Sequence, residues 1–305
     1  MNTLKTILVP VDFSTGSRSA LEQAARLAAL NGASLHVLHV VDTAAVASMA
    51  DGRHLSFESQ SAIAAEGARD ALARWLAQAG APADRQTTIV VGVPLHEILE
   101  QVKKLKPDLV VAGITGSGET KAGAGSLACR LARKIPTKVM LVRANHPNAF
   151  QKIVACIDFS DTSREVAAQA HRVAVQDGAK VDFLHVWQEP WLSTPYAYLA
   201  TVAAEFIEER QQHLRATLKQ FVSEHAPDIE SNEVLVNEPN YANGIAAHAE
   251  KSDADLIVIG AKGKTNLRYV LLGSTAERLL RNVPCSLLVV KPPAELLSGS
   301  RQTTL

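Results

Sequence analysis

The stretch GAKGKTNLRYVLLGST, residues 260–275, sets three glycines, three basic side chains and a closing Gly-Ser-Thr between an apolar run and the segment AERLLRNV. Glycines let backbone N–H groups approach an anion without a Cβ in the way, and a run of such amides makes an anion-binding concavity. The chemistry suggested is phosphate binding; the plainer alternative is a turn that needs small residues. Asp12 and Asp158 close the apolar runs TILVPVD and KIVACID. A carboxylate there can accept hydrogen bonds from a base or ribose, or it can cap the helix that follows. His39 and His185 occupy one slot in two similar segments, LHV at 38–40 and at 184–186. A histidine repeated within an apolar strand reads as a packed, hydrogen-bonded core residue.

Other chemistries are excluded by spacing. The GKT at 263–265 resembles the end of a P-loop, which requires glycine at 258, where Val258 stands. The dinucleotide fingerprint needs glycines after the first strand, and VDFST and IDFSD have none at that turn. No Ser/His/Asp arrangement with its local motif and no paired carboxylates at a defined spacing occur, so no dedicated catalytic apparatus is expected. Cys129, Cys156 and Cys285 are far apart, without C-x-x-C or Cys/His ligand spacing, so neither a disulfide framework nor a metal site is expected.

The elements that must position these residues occur twice. Asp12-Phe13-Ser14 and Leu38-His39-Val40 return 146 positions later as Asp158-Phe159-Ser160 and Leu184-His185-Val186. PDLVVAG, ending at Gly113, returns 147 positions later as ADLIVIG, ending at Gly260. A repeat this long means duplication of a whole domain. Domains are expected over 1–146 and 150–293, with a join at the polar stretch 144–151 and a polar tail at 294–305. In each copy short, wholly apolar β-branched runs alternate with Ala/Leu-rich helical stretches, the pattern of parallel strands buried on both faces. The expected class is α/β: two tandem doubly wound domains, each a five-stranded parallel sheet of order 3-2-1-4-5 with helices on both faces. Ser14 or Thr15 and Ser160 or Asp161 are candidate N-caps, and Gly32 and Gly178 candidate stops. The crossover after the second strand is long in both copies and should hold a loop as well as a helix. In that order strands 1 and 4 are neighbours, so each strand-end Asp and glycine loop meet where ligands bind such sheets.

Gly260, two residues, Gly263, nine residues, then Gly273-Ser274, together with IDFS and LHV, resembles the universal stress protein family in its tandem form, over about Lys5 to Pro292. In that family the glycine motif marks the ATP-binding branch. The resemblance implies a cytoplasmic, ATP-binding stress sensor or protective module, with Mg²⁺ accompanying the nucleotide and at most weak ATP hydrolysis. It places Ile157, Asp158 and Val186 against adenine and ribose, and Gly260, Gly263, Gly273, Ser274 and Thr275 around the phosphates. The first copy departs from the pattern. Pro10, Asp12, Val40, Gly113, Gly116, Gly125 and Ser126 match, but only eight residues separate Gly116 from Gly125, and Glu119 enters the loop. A weaker or absent nucleotide site is expected there. Cys156 stands where many members have proline.

The resemblance further implies pairing of the final strands, TKVMLVR and CSLLVVK, as a pseudo-dimer within one chain, with a homodimer open. Thirty-one basic residues balance thirty-one acidic ones, which argues against a nucleic-acid binder. No 18-residue apolar stretch occurs, so no membrane partner is expected. Trp187, Trp191, Tyr196 and Tyr198 cluster in the second long crossover, where an interface, a ligand lid and simple loop packing are all open readings.

Overall fold

The computed structural model describes residues 4–116, 123–144, 149–189, 200–263 and 272–292, the side chains of 200–206 excepted. Expectations resting on Glu119, Trp191, Tyr196, Tyr198, Lys264, Arg268 and the 294–305 tail lie outside those residues. The chain divides into two compact units, Met1–Asn148 and Ala149–Leu305.

In the first unit the strands are β1 (Thr6–Val11), β2 (Ser34–Asp42), β3 (Gln86–Gly92), β4 (Leu109–Gly113) and β5 (Lys138–Val142). They lie in the order β3-β2-β1-β4-β5, every described pair parallel. Helices α1 (Thr15–Asn31), α2 (Thr43–Arg53), α3 (Phe57–Gln78), α4 (Pro94–Leu105) and α5 (Ser126–Lys134) supply the crossovers. The second unit repeats the plan with β6 (Lys152–Cys156), β7 (Lys180–Trp187), β8 (Ser231–Asn237), β9 (Leu256–Gly260) and β10 (Ser286–Val290), in the order β8-β7-β6-β9-β10. Its helices are α6 (Asp161–Asp177), α7 (Ala200–His225), α8 (Tyr241–Lys251) and α9 (Ser274–Leu280).

Central strands are covered on both faces, hence their unbroken apolar character: Ile7, Leu8 and Val9 in β1, and Ile153, Val154 and Ala155 in β6, are all but inaccessible. Each Val, Leu or Ile among them contributes about 1.5–3 kcal/mol by leaving water. Ser14 caps α1, its hydroxyl accepting from the Ser17 amide, and Gly32 ends that helix in the left-handed region (φ 62°). Gly178 does the same for α6 (φ 69°). An acidic residue before the fourth strand ties it to the first. Asp108 Oδ2 accepts from the Lys5 and Thr6 amides, and the Asp255 carboxylate from those of Gln151 and Lys152.

The first long crossover holds more regular structure than expected: two helices, α2 and α3, turn at His54, which is left-handed (φ 56°). The units also differ inside. Asp182, buried in β7, accepts from His248 Nε2 (3.0 Å) and Asn232 Nδ2 (2.9 Å). The His248 contact, ahead of the Asn232 bond, holds its carboxyl below the usual range against the opposing effect of burial. The corresponding position in β2 is His36, whose partner across the ladder is Gln86.

Candidate functional site

The site in the second unit begins where β6 and β9 part. Their ladder runs from Ile153 beside Leu256 to Ala155 beside Val258 and stops, while the chains continue upward. Beyond it the backbone turns sharply at Phe159, a bulky residue held at φ 63°. Such a conformation costs on the order of 1–3 kcal/mol and persists only when its surroundings over-determine it. They do so here. The Phe159 ring packs against His185 (centroids 4.6 Å apart) and edge-on to Phe221 (5.9 Å). Since a carbonyl can only accept, His185 Nδ1–H donates to Ile157 O at 2.7 Å, fixing the strand end just before the turn. This is the core role expected of that histidine, and His39 repeats it on Val11 O at 2.9 Å.

The turn presents Asp158. Its Oδ1 accepts from the Ser160 amide (3.0 Å) and the Ser163 hydroxyl (2.6 Å), while the Ser163 oxygen also accepts from the Asp158 amide (2.9 Å). Ser163, buried in the first turn of α6, thus clamps main chain and carboxylate together. The other oxygen, Oδ2, faces the loop after β9, where a Cβ built on Gly263 would come within 2.6 Å of it. Glycine at 263 leaves room beside this carboxylate, which any side chain there would have to displace.

The remaining glycines have separate reasons. A Cβ on Gly260 would meet Thr162 Cγ2 at 2.9 Å, so that glycine lets α6 approach the strand. Gly273 has an ordinary backbone (φ −68°, ψ 155°), and its Cβ would have only van der Waals neighbours among the described residues, Ala261 O at 3.4 Å and Lys262 Cα at 3.9 Å. Among the described residues nothing requires glycine there. Its amide donates to Ala261 O at 2.7 Å and closes the loop. Gly273 therefore offers space rather than a donor, and Ser274 and Thr275 carry the next amides. α9 spans only seven residues, so its dipole adds little to these amides.

These pieces enclose a cavity of about 460 Å³, and all of the second-unit candidates line it: Ile157, Asp158, Val186, Gly260, Gly263, Gly273, Ser274 and Thr275. Clefts for small molecules typically run to about 300–1,000 Å³. Its wall also includes Ser163, Lys262, Arg210, Tyr241 and Ile245, none singled out among the candidates. Lys262 stood visible inside the glycine motif. Arg210 and Tyr241, both exposed, carried no local signal, since tertiary packing alone brings α7 and the start of α8 to the cavity. Cys156 also lines it, but burial, reinforced by Cys285 and Asp158, pushes its thiol upward and away from nucleophilic use. Lys291, just past β10, is drawn down to about 8 by burial and then by Lys262.

The first unit builds the same turn with a different hold on its carboxylate. Phe13 is left-handed (φ 64°), packed on His39 and Trp75. Asp12, however, is exposed, and its Oδ1 takes both the amide and the hydroxyl of Ser14. It buttresses the residue that caps α1 and is not itself the cap. Gly116 leaves room beside Asp12 Oδ2, where a Cβ would stand at 2.7 Å, and the Gly125 amide closes the loop on Ile114 O at 2.8 Å, just before Ser126 opens α5. Gly113 packs against Gly16, whose own Cβ would strike Thr115 O at 2.2 Å. Here the loop base presses onto α1, and Gly16, which permits it, was not singled out among the candidates. Pro10 and Val40 sit in β1 and β2, beside Leu38 and Val90 respectively.

A model of the universal stress protein family matches this chain twice, over residues 3–143 and 149–291. The chain belongs to the universal stress protein family. Both matches contain the strand-end Asp, the repeated His and the glycine loop just described. Universal stress protein MJ0531 of Methanocaldococcus jannaschii is 38% identical over 150 residues, covering 49% of this chain and 86% of its own. A universal stress protein of Mycolicibacterium smegmatis aligns along nearly everything, 26% identical over 298 residues, 94% of this chain and 97% of its own. Among solved structures, a universal stress protein from Archaeoglobus fulgidus superposes with a TM-score of 0.61 at 19% identity, covering 96% of this chain and 100% of that one. PA1789 of Pseudomonas aeruginosa gives 0.66 at 19%, covering 97% and 98%. At that identity the likeness is one of fold. Among the described residues no helix is long and apolar enough to cross a membrane, and no group of three or more His, Cys, Asp or Glu could hold a metal ion.

Proposed function

We propose that the second unit binds an adenine nucleotide, ATP first among them, and that the protein acts as a nucleotide-responsive stress module. The observation that carries this reading is a glycine at 273 that no described residue requires, lining the same cavity as a clamped carboxylate. In this reading Asp158 accepts hydrogen bonds from the base or ribose, with Ile157 and Val186 as apolar walls. Gly273 admits the phosphate chain to the backbone, and the Ser274 and Thr275 amides and hydroxyls donate to it. Mg²⁺ enters with the phosphates, which supply its oxygen ligands. Among the described residues no general base stands in a defined role, and in this reading bound nucleotide acts as a signal or a stabilising ligand, with hydrolysis slow at most. The first unit, its Asp12 exposed and engaged with Ser14, binds more weakly or not at all.

Mass spectrometry of gently purified protein, followed by calorimetric titration with ATP, tests the reading. One dominant site per chain is expected; absence of both co-purified and added nucleotide refutes it.

A further inference from the structure

We propose that the nucleobase lies on the ring of Tyr241, so that the second unit selects its ligand by a flat aromatic ring as well as by phosphate. This rests on the nucleotide reading above and assigns a residue to its base end. β8 ends at Asn237 and α8 begins at Tyr241, so the first turn of α8 stands at the carboxyl end of the strands, where the cavity lies. Tyr241 and Ile245 both line that cavity. Four residues apart, they share one face of the helix. Ile245 is buried, whereas Tyr241 is 44% exposed, and among the described residues its ring makes no aromatic contact. A planar ligand covering that ring removes apolar surface from water.

Gly244 brings this face of α8 to the base end. A Cβ there would meet Val186 Cγ1 at 2.9 Å and Glu238 Cβ at 3.1 Å, which a side chain at 244 would have to displace. Glycine is a poor choice for a helix interior, and the close approach of α8 to β7 gives it a reason. Val186 is one of the apolar walls assigned to the base. Further along, the same two elements are tied by His248 Nε2 on Asp182 Oδ2 at 3.0 Å, so α8 is fixed to β7 on both sides of Ile245. The glycine loop follows β9, which lies across β6 from β7, about 10 Å away. Phosphates held at that loop leave the base on the β7 side. A phenol ring offers a phosphate no charge, but its face stacks on any base.

The first unit does not repeat this wall. α4 opens with Pro94, and its fourth residue is Glu97, where α8 has Tyr241 and Gly244. Proline presents no aromatic face, and the Glu97 side chain lies against Gly92 at the end of β3. The divergence of the units extends from the glycine loop to this helix.

The experiment is titration of the full chain with ATP, adenosine and inorganic tripolyphosphate, using wild type, Tyr241→Phe and Tyr241→Ala, each verified by thermal melting. Tyr241→Ala should lose at least about fivefold in affinity for ATP and for adenosine, and stay within about twofold for tripolyphosphate. Tyr241→Phe, which keeps the ring, should stay within about twofold of wild type for all three. A second measurement uses wild type alone: nitration of Tyr241 by tetranitromethane, read by peptide mass spectrometry, should slow in saturating ATP and not in tripolyphosphate. Unchanged ATP affinity in Tyr241→Ala, an equal loss for tripolyphosphate, a loss in Tyr241→Phe as large as that in Tyr241→Ala, or nitration indifferent to ATP overturns the proposal while leaving nucleotide binding intact. Should wild type bind neither ATP nor adenosine, the nucleotide reading falls and the proposal with it.

Discussion

Gly273→Ala separates a glycine demanded by the fold from one demanded by a ligand. The backbone at 273 lies at φ −68° and ψ 155°, open to any residue, and among the described residues the new Cβ would meet Ala261 O at 3.4 Å and Lys262 Cα at 3.9 Å, both ordinary contacts. Replacing glycine at a compatible position stabilises by about 0.4–1 kcal/mol through the unfolded chain. Against this, alanine is a poorer N-cap than glycine, and residue 273 caps α9. The two effects nearly cancel, so melting should move by no more than a few degrees. Binding should respond quite differently. A methyl group on the cavity wall keeps phosphate from the Ser274 and Thr275 amides, and a hydrogen bond to a charged group contributes about 1.5–3 kcal/mol. ATP affinity should fall roughly ten- to 150-fold. Thermal melting and calorimetric titration on the same preparation make the comparison. A variant that melts normally and binds ATP normally refutes the assignment of Gly273 to ligand. A variant that unfolds refutes the claim that the fold is indifferent to it.

Three further outcomes are expected. Gly263→Val should abolish the dominant ATP site, because its side chain would enter the space beside Asp158 Oδ2, whereas Gly116→Val in the first unit should leave the titration unchanged; equal losses from both would contradict the asymmetry. Ser163→Ala removes the hydroxyl that both donates to Asp158 Oδ1 and accepts from its amide, so it should cost about 1–3 kcal/mol and weaken ATP binding, as read by melting and titration. Asp182, with its carboxyl held below the usual range, contributes stability that is complete above the ordinary carboxylate value of about 4 and is lost as pH falls through its lower folded value. Asp182→Asn should flatten that acid limb in melting curves between pH 2 and pH 6, and an unchanged limb would place the acid sensitivity elsewhere.

The α/β plan and its strand order were open to reading because fully buried parallel strands leave uninterrupted apolar runs, and because the repeat shows each run twice. The caps at Ser14, Gly32 and Gly178 were equally plain, each being a local signal with a local cause. Two kinds of feature stayed hidden. Arg210 and Tyr241 reach the cavity from α7 and α8, so only the packing of the second unit makes them neighbours of Asp158. The different reasons for each glycine were hidden too. Gly260 answers to Thr162, Gly263 to Asp158, and Gly273 to nothing among the described residues, although all three are the same letter in one motif.

The two units show how a duplicated site can diverge while its frame stays constant. Both keep a phenylalanine in the left-handed region, a histidine donating to the preceding strand, and a loop closed by one glycine amide. What differs is the hydroxyl that holds the aspartate. Ser14 in the first unit draws Asp12 into the cap of α1, at the surface, while Ser17 spends its own hydroxyl on Ser14 O. In the second, Ser163 takes the carboxylate from inside the first turn of α6 and keeps it against the cavity. The residue types are the same, serine at both positions in both copies. The strained turn is retained in both units because the aromatic contacts that support it belong to the core. On the nucleotide reading proposed above, the serine that holds the aspartate acts beside the loop differences of the first copy, and of the two it is the one that residue identity alone does not reveal.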